Sequence, residues 1–254
     1  MDMRKSRVLN RLRRGETANC MKLNLADPRV AEMAAQAGFD CIWLCQEHVP
    51  TDWATIENCV RAAKIYDVDV MVRVGKGSYS DYIRPLEADA SGIMVPHIMS
   101  LEEARKTVWT TRFHPIGRRP IDGGNQDGAY CAVDTKDYVK QANENRFLCV
   151  QIEDPEPLPE LEQIAQLPGI DIIFFGPADF SQGIGATADW NHPKLIETRR
   201  RIPEVCKKYG KIAGTVGGPG NYKELQAMGY RFINLGADVV GLSSYYKGVL
   251  EGIR

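Results

Sequence analysis

The sequence predicts a (β/α)8 barrel, and three observations carry that reading. Eight short apolar runs recur along the chain, most of them followed by a stretch with helical periodicity. The runs are continuously apolar, as expected of parallel strands covered on both faces. The length, 254 residues, suits one barrel domain spanning residues 1–254. A doubly wound open sheet would also alternate strands with helices. Against its dinucleotide-binding form, no G-x-G-x-x-G follows the first run, and Gly75-Lys76-Gly77 lacks the third glycine.

The elements follow in order. The basic start, Met1-Asp2-Met3-Arg4-Lys5-Ser6-Arg7, is not followed by the apolar region of about 7–15 residues that a secretory signal needs, and it reads as leading into a short amphipathic helix with Val8 and Leu12. The first run is Cys20–Leu25; Asp27-Pro28 then opens a helix at N-cap and N1, and Gly38 closes it. Phe39–Cys45, Val68–Val74 and Gly92–His97 are the next three runs. Ser100-Leu101-Glu102-Glu103 has the pattern of a capping box. Phe147–Glu153, Asp171–Gly176 and Lys211–Val216 follow, then a helix from Asn221 to Met228 stopped by Gly229, and last Arg231–Gly236.

Composition narrows the function classes. A hydrophobic fraction of 44% supplies a core, and 26% charged residues is ordinary for a soluble protein. Lys plus Arg (32) nearly cancel Asp plus Glu (33), so no global field argues for a nucleic-acid or membrane partner. No uninterrupted apolar run of about 18 residues occurs, so no spanning segment is expected. The seven cysteines form no C-x-x-C pair, and Cys41, Cys45 and Cys149 lie within apolar runs. That pattern points to a reducing compartment, and a cytoplasmic location is expected.

In such barrels the active site lies at the carboxyl ends of the strands. There the sequence places Cys45-Gln46-Glu47-His48, Arg73, Pro96-His97, Gln151-Ile152-Glu153-Asp154 and Gly176-Pro177-Ala178-Asp179. Glu153 and Arg73 interrupt or end apolar strands, where a charge needs a partner. Glu153 and Asp179 are hard oxygen ligands suited to Mg²⁺ or Mn²⁺, with water and substrate completing the shell. A 2-oxo acid can chelate such an ion, which then acts as a Lewis acid on the enolate. Backbone N–H groups of Gly176, Ala178 and Asp179 are candidates to hold the carboxylate. Arg73 offers fork-like donors to developing charge, and His48 is the natural proton shuttle.

Blander readings stand beside these. Glu153 and Arg73 can equally form a structural ion pair. His97 reads first as a packed or hydrogen-bonded histidine, and His114 and His192, each before a proline, as solvated surface groups. Asp154 reads as a solvated or helix-capping carboxylate, and Arg199-Arg200-Arg201 as an exposed helix face. Trp43, Phe174 and Phe175 read as core or interface aromatics.

The ordered set Leu25-Ala26-Asp27-Pro28, Ala37-Gly38-Phe39-Asp40, Glu47-His48-Val49-Pro50, Val72-Arg73, Met94-Val95-Pro96, Gln151-Ile152-Glu153 and Gly176-Pro177-Ala178-Asp179 resembles the class II pyruvate aldolases of the HpcH/HpaI family over nearly the whole chain. The resemblance implies reversible aldol cleavage of a 4-hydroxy-2-oxo acid to pyruvate and an aldehyde, with a divalent ion (Mg²⁺, Mn²⁺ or Co²⁺). It implies His48 as general acid/base, Arg73 as catalytic, Glu153 and Asp179 as metal ligands, and Gln151 beside them. It also implies a C-terminal helix swapped between neighbours in a homo-oligomer, usually a hexamer or trimer of dimers. A citrate-lyase-like lyase acting on an acyl thioester and a non-catalytic oxo-acid-binding barrel are the competing readings.

Two departures from the family pattern stand out. Cys45 occupies the position, three residues before the histidine, where the family pattern leads us to expect an aspartate that polarises the imidazole, and Glu47 and Glu87 are the candidates to replace it. The stretch Arg118-Arg119-Pro120-Ile121-Asp122-Gly123-Gly124-Asn125-Gln126-Asp127-Gly128 is polar and glycine-rich, read either as a surface loop or as a lid selecting a polar aldehyde.

Overall fold

The strand ladder closes on itself. In a computed structural model describing residues 1–254, the strands are β1 (Ala18–Lys22), β2 (Cys41–Cys45), β3 (Asp69–Arg73), β4 (Gly92–Val95), β5 (Phe147–Ile152), β6 (Ile172–Phe175), β7 (Ile212–Val216) and β8 (Tyr230–Ala237). They pair in chain order, and β8 returns to β1 in parallel through Ala18↔Phe232 and Cys20↔Asn234. Each expected run overlaps its strand. The first is displaced toward the amino end, because Leu25 is exposed and Ala26 takes a left-handed φ of 47° that ends the extended backbone.

The helices are α1 (Arg7–Arg13), α2 (Pro28–Gln36), α3 (Trp53–Lys64), α4 (Tyr79–Glu87), α5 (Leu101–Thr111), α6 (Thr135–Asn145), α7 (Leu161–Gln166), α8 (Pro177–Gly183), α9 (Pro193–Lys208), α10 (Tyr222–Met228) and α11 (Asp238–Glu251). The caps behave largely as their sequences require. Asp27 accepts the Arg29 N–H, and Gly229 ends α10 at φ 105°. Ser100 accepts the Glu103 N–H, but Glu103 reaches back to the Met99 N–H instead of that of Ser100, so the expected box is only half formed. None of the helices is long and apolar enough to cross a membrane.

Alternation along the strands divides the core. Cys20, Trp43, Met71, Met94, Cys149, Phe174 and Phe232 turn into the barrel as one cluster, while Ile42, Leu44, Val70 and Val72 pack beneath the helices. The lumen is tightly filled: a Cβ on Gly92 would lie 2.3 Å from the Phe147 ring.

The amino end of the lumen is plugged by α1, whose Val8, Leu9 and Leu12 join the inner cluster. Buried Asp69, first residue of β3, fastens this plug. It accepts the N–H of Arg7 at 3.1 Å and of Val8 at 2.9 Å, the Ser6 hydroxyl and the Arg4 guanidinium. Asp69→Asn leaves these donors short of a charged acceptor, and urea unfolding is expected to show a loss of about 2 kcal/mol. An unchanged midpoint would show that α1 is held by apolar contact alone.

One open sequence reading narrows here and another changes. Arg119 is buried, pairs with Asp127 at 3.0 Å, donates to the Tyr138 hydroxyl and stacks on Phe113. The 118–128 loop is therefore pinned against Phe113 and against Tyr138 of α6. With α3 and α4 it lines a cleft of about 470 Å³ that contains Glu87. His192, expected to be solvated, is half-buried at the N-cap of α9 with Nδ1 buried and unpartnered.

Candidate active site

The same alternation that fills the lumen puts a polar layer on top of it. Two residues beyond Cys20, Trp43 and Met71, the first three strands end in Lys22, Cys45 and Arg73. Two and four residues beyond Cys149, β5 presents Gln151 and then Glu153. The carboxyl rim thus gathers charge above an apolar floor.

Arg73 is 4% exposed and held from three sides. Its Cζ lies 5.0 Å from the Trp43 ring centroid, and Nε and Nη2 donate to Cys45 Sγ at 3.4 and 3.2 Å. Its Nε also lies 2.9 Å from Glu47 Oε2. That contact is an ion pair without an aligned hydrogen bond, because the Nε–H is directed at the sulfur, and Glu47 Oε2 remains a buried acceptor with no donor.

Glu47 is the hub. His48 Nε2 lies 3.4 Å from Glu47 Oε2, and His97 Nε2 lies 3.5 Å from Glu47 Oε1. Cys45 supports the turn from within, its sulfur accepting the His48 backbone N–H at 3.4 Å. The carboxylate that the sequence lacks at position 45 is thus supplied next to His48 by Glu47. Glu87, the other candidate, has Arg119, Asp127, Asp122 and Arg84 as its charged neighbours and does not meet His48 within the chain.

His97 is a hydrogen-bonded histidine, as one reading of the sequence has it, and it stands on the rim. It adopts φ 46°, a conformation that non-glycine residues take at a cost. Its backbone N–H donates to Glu153 Oε1 at 3.0 Å, and its Nδ1 lies 2.8 Å from Asp154 Oδ2. Asp154 is therefore the partner of a site histidine, not a solvated carboxylate. Burial lowers the His97 imidazolium, but the Asp154 hydrogen bond and the charges of Glu153, Asp154 and Glu47 outweigh it and hold it above its ordinary value.

Glu153 is fully buried, and burial pushes its carboxyl up to about 7. His97 and Arg73 counter that rise, while the charge of Asp179 adds to it, which places the two carboxylates in one electrostatic neighbourhood. Glu153 and Arg73 are not paired with each other, since Arg73 is taken by Glu47. Gln151 Nε2 donates to Glu153 Oε2, and Gln151 Oε1 is buried and unpartnered. Gly176 makes this close packing possible: a Cβ there would lie 2.6 Å from Glu153 Oε2. Asp179 is exposed in the first turn of α8.

These features fit a hard divalent ion. Two carboxylates, Glu153 with only His97 as an ion-pair partner at 3.7 Å and Asp179 with none, and an orphaned amide oxygen belong to one rim, while no three His, Cys, Asp or Glu side chains close into a complete cage. An open site of this kind leaves positions for water and substrate oxygens.

Of the residues expected from the sequence, Arg73, Gln151, Glu153, Gly176, Ala178 and Asp179 lie on the rim, and His48 lies beside them, with its side chain 56% exposed. Sequence reasoning placed Glu47, His97 and Asp154 at the strand ends but gave His97 and Asp154 no role in the site and Glu47 none beyond standing in for the missing aspartate, and it missed Lys22 altogether. Glu47 and Asp154 each adjoin a chosen residue, and strand parity alone would have pointed Lys22 inward.

Comparison with known proteins agrees with this geometry. The HpcH/HpaI aldolase/citrate lyase model matches residues 20–244. A hydroxypyruvate/pyruvate aldolase of Pseudomonas aeruginosa is 31% identical over 100% of this chain and 92% of its own. A 2-keto-3-deoxy-L-rhamnonate aldolase of Salmonella schwarzengrund is 30% identical over 90% of this chain and 86% of its own. The crystal structure of an HpcH/HpaI aldolase/citrate lyase family protein from Burkholderia cenocepacia superposes with a TM-score of 0.89 at 29% identity, covering 98% of this chain and 99% of that one. Barrel, rim and relatives agree, and the chain belongs to the HpcH/HpaI aldolase/citrate lyase family.

Proposed function

We propose that this chain, as one barrel domain over residues 1–254, is a divalent-metal-dependent carbon–carbon lyase that cleaves a 4-hydroxy-2-oxo acid reversibly to pyruvate and an aldehyde. The observation that carries the reading is the division of the rim. A carboxylate pair, Glu153 and Asp179, neither of them neutralised by an arginine or lysine, shares the rim with a guanidinium already fixed by Glu47, Cys45 and Trp43.

Glu153 and Asp179 would hold the ion (Mg²⁺, Mn²⁺ or Co²⁺), which when bound polarises the keto group of the oxo acid. The backbone N–H groups of Ala178 and Asp179, in the first turn of α8 where no intrahelical acceptor exists, receive the substrate carboxylate together with Gln151; the Gly176 N–H, expected from the sequence to join them, is already donated to the Ile152 carbonyl at 3.1 Å. Arg73 directs its remaining donors at the oxygen that gains charge as the carbon–carbon bond breaks; its stacking on Trp43 and pairing with Glu47 fix that direction before substrate arrives. His48 moves the proton through Nε2, which lies 3.4 Å from the Glu47 carboxylate. Cys45 therefore does not mark a lost activity, since its sulfur organises Arg73 and the His48 backbone.

The exposed apolar side of α11, with Val240, Tyr245, Tyr246 and Leu250 and no buried residue, supports a homo-oligomer, a hexamer built as a trimer of dimers, in which this helix packs on a neighbour. All seven cysteines are free, which supports a cytoplasmic location.

The test is exchange of the pyruvate methyl protons in D₂O, followed by NMR. Exchange is expected with Mg²⁺, Mn²⁺ or Co²⁺, to vanish with EDTA and to fall by at least about 100-fold in His48→Ala. Metal and pyruvate binding without exchange in the intact chain would overturn the catalytic reading.

A further inference from the structure

Just beyond Arg73, the turn Gly75-Lys76-Gly77 carries a cation that stands outside the reacting groups. The Gly77 N–H donates to the Gly75 carbonyl at 3.0 Å, so three residues close the turn and Lys76 is its apex. Its Nζ donates to the backbone carbonyl of His97 at 2.7 Å and pairs with Glu103 Oε1 of α5.

The loop it grips lies between β4 and α5. The peptide joining His97 to Ile98 is held at both ends: Lys76 takes the carbonyl, and the Ile98 N–H donates to the Gln151 carbonyl at 3.2 Å. The preceding peptide gives the His97 N–H to Glu153 Oε1 at 3.0 Å. His97 joins these two peptides at φ 46°, a left-handed conformation that an L side chain adopts at a cost. Glu103 serves the same loop twice. One of its oxygens accepts the Met99 N–H at 2.9 Å and the other neutralises Lys76, which leaves Ser100 without the return bond of a full capping box.

A strained turn persists only while its surroundings hold it. If the His97 φ relaxed to the ordinary negative region, the two peptides would swing relative to each other and the His97 N–H would leave Glu153. Lys76 and the Ile98 bond are the restraints on the far peptide; without Lys76 one of them remains. Glu153 would then keep the Gln151 amide as its one aligned donor, and a buried carboxylate so held is no longer aimed.

We propose that Lys76 is a positioning residue for the metal ligand Glu153, acting through the backbone of His97, and that Glu103 holds the lysine in place for it. The proposal rests on the reading of Glu153 as a ligand and adds the group that aims it. In this role Lys76 touches neither ion nor substrate. Its charge by itself opposes a divalent cation, so if charge were its whole contribution, removing it would tighten metal binding. Positioning predicts the opposite sign.

The experiment compares wild type, Lys76→Met and Lys76→Arg by two measurements, Mn²⁺ affinity by calorimetry and backbone amide NMR of the metal-free protein labelled with ¹⁵N-histidine. The chain has four histidines, so four amide signals are expected, and the one lost in His97→Gln belongs to His97. Lys76→Met should raise the Mn²⁺ Kd by about 10-fold, the effect of removing an outer partner of a ligand, while Lys76→Arg stays within about threefold of wild type. In metal-free Lys76→Met the His97 amide should move upfield as it leaves the carboxylate, with the other three unmoved. If Lys76→Met does not fold, Lys76→Gln carries the same expectations. Unchanged or tighter Mn²⁺ binding, weaker binding with the His97 amide unmoved, or no rescue by arginine would overturn the proposal. Wild type that binds no Mn²⁺ would overturn the metal reading itself. The His97 amide of the metal-free pair then still decides whether Lys76 holds the turn: a shift supports it, and an unmoved signal sinks it.

Discussion

Glu47→Gln is expected to lower pyruvate proton exchange by about 1000-fold while leaving metal affinity within a few-fold of wild type. One carboxylate faces Arg73 Nε at 2.9 Å, His48 Nε2 at 3.4 Å and His97 Nε2 at 3.5 Å, so one change weakens all three. A neutral amide cannot stabilise a charged His48, and its N–H₂ group repels the guanidinium that the carboxylate attracts. The proposed ligand pair, Glu153 and Asp179, makes no hydrogen bond or ion pair with Glu47, which is why binding and turnover should separate. Exchange measured by NMR, with Mn²⁺ binding measured by calorimetry on the same sample, checks both halves. Exchange within threefold of wild type would show that His48 and Arg73 are positioned by something other than Glu47. Equal loss of exchange and metal would mean that Glu47 belongs to the metal site.

The barrel was legible because buried parallel strands leave a coarse mark. Runs such as Cys41-Ile-Trp-Leu-Cys45 and Phe147-Leu-Cys-Val-Gln-Ile152 must be apolar on both faces, and that pattern survives without any knowledge of pairing. Arg73 and Glu153 were legible for the opposite reason, as charges set at the ends of such runs. What escaped was geometry set by loops. Glu47 and His97 lie just past strand ends, where backbone turns decide direction, and the φ of 46° at His97 that aims its N–H at Glu153 leaves no residue-type signal. The 118–128 loop stayed open between two readings because glycines and charges look alike in a lid and in a pinned loop; the burial of Arg119 against Asp127 and Tyr138 favours the second. Cys45 looked like a defect in isolation, and it became a structural acceptor once Arg73 was placed beside it.

The second large effect is a trade between stability and function at Glu153. In the metal-free protein burial raises this carboxyl from 4.5 to about 7. Below pH 4.5 it is protonated whether the chain is folded or not, and it contributes no pH dependence. Between these values the unfolded chain releases a proton that the folded chain keeps, so stability falls as the pH rises. Above about 7 the full penalty of a buried, ionised carboxylate is present, about 3 kcal/mol from a shift of that size. Glu153→Gln removes the ionisation and keeps the shape: the amide oxygen still accepts the His97 N–H, and after a flip of the Gln151 amide, which now donates from Nε2 to Glu153 Oε2, the new amide nitrogen donates to Gln151 Oε1. Metal-free Glu153→Gln is therefore expected to exceed metal-free wild type by about 2 kcal/mol at pH 8 and to match it near pH 5. Added Mn²⁺ should reverse the order, because wild type gains stability by mass action and the variant, having lost a ligand, gains little. Urea unfolding at both pH values, with EDTA and with Mn²⁺, measures all four corners. A variant less stable than wild type in EDTA at pH 8 would mean that the Glu153 charge is already compensated by the protein's own groups. Equal stabilisation of both proteins by Mn²⁺ would place the ion elsewhere.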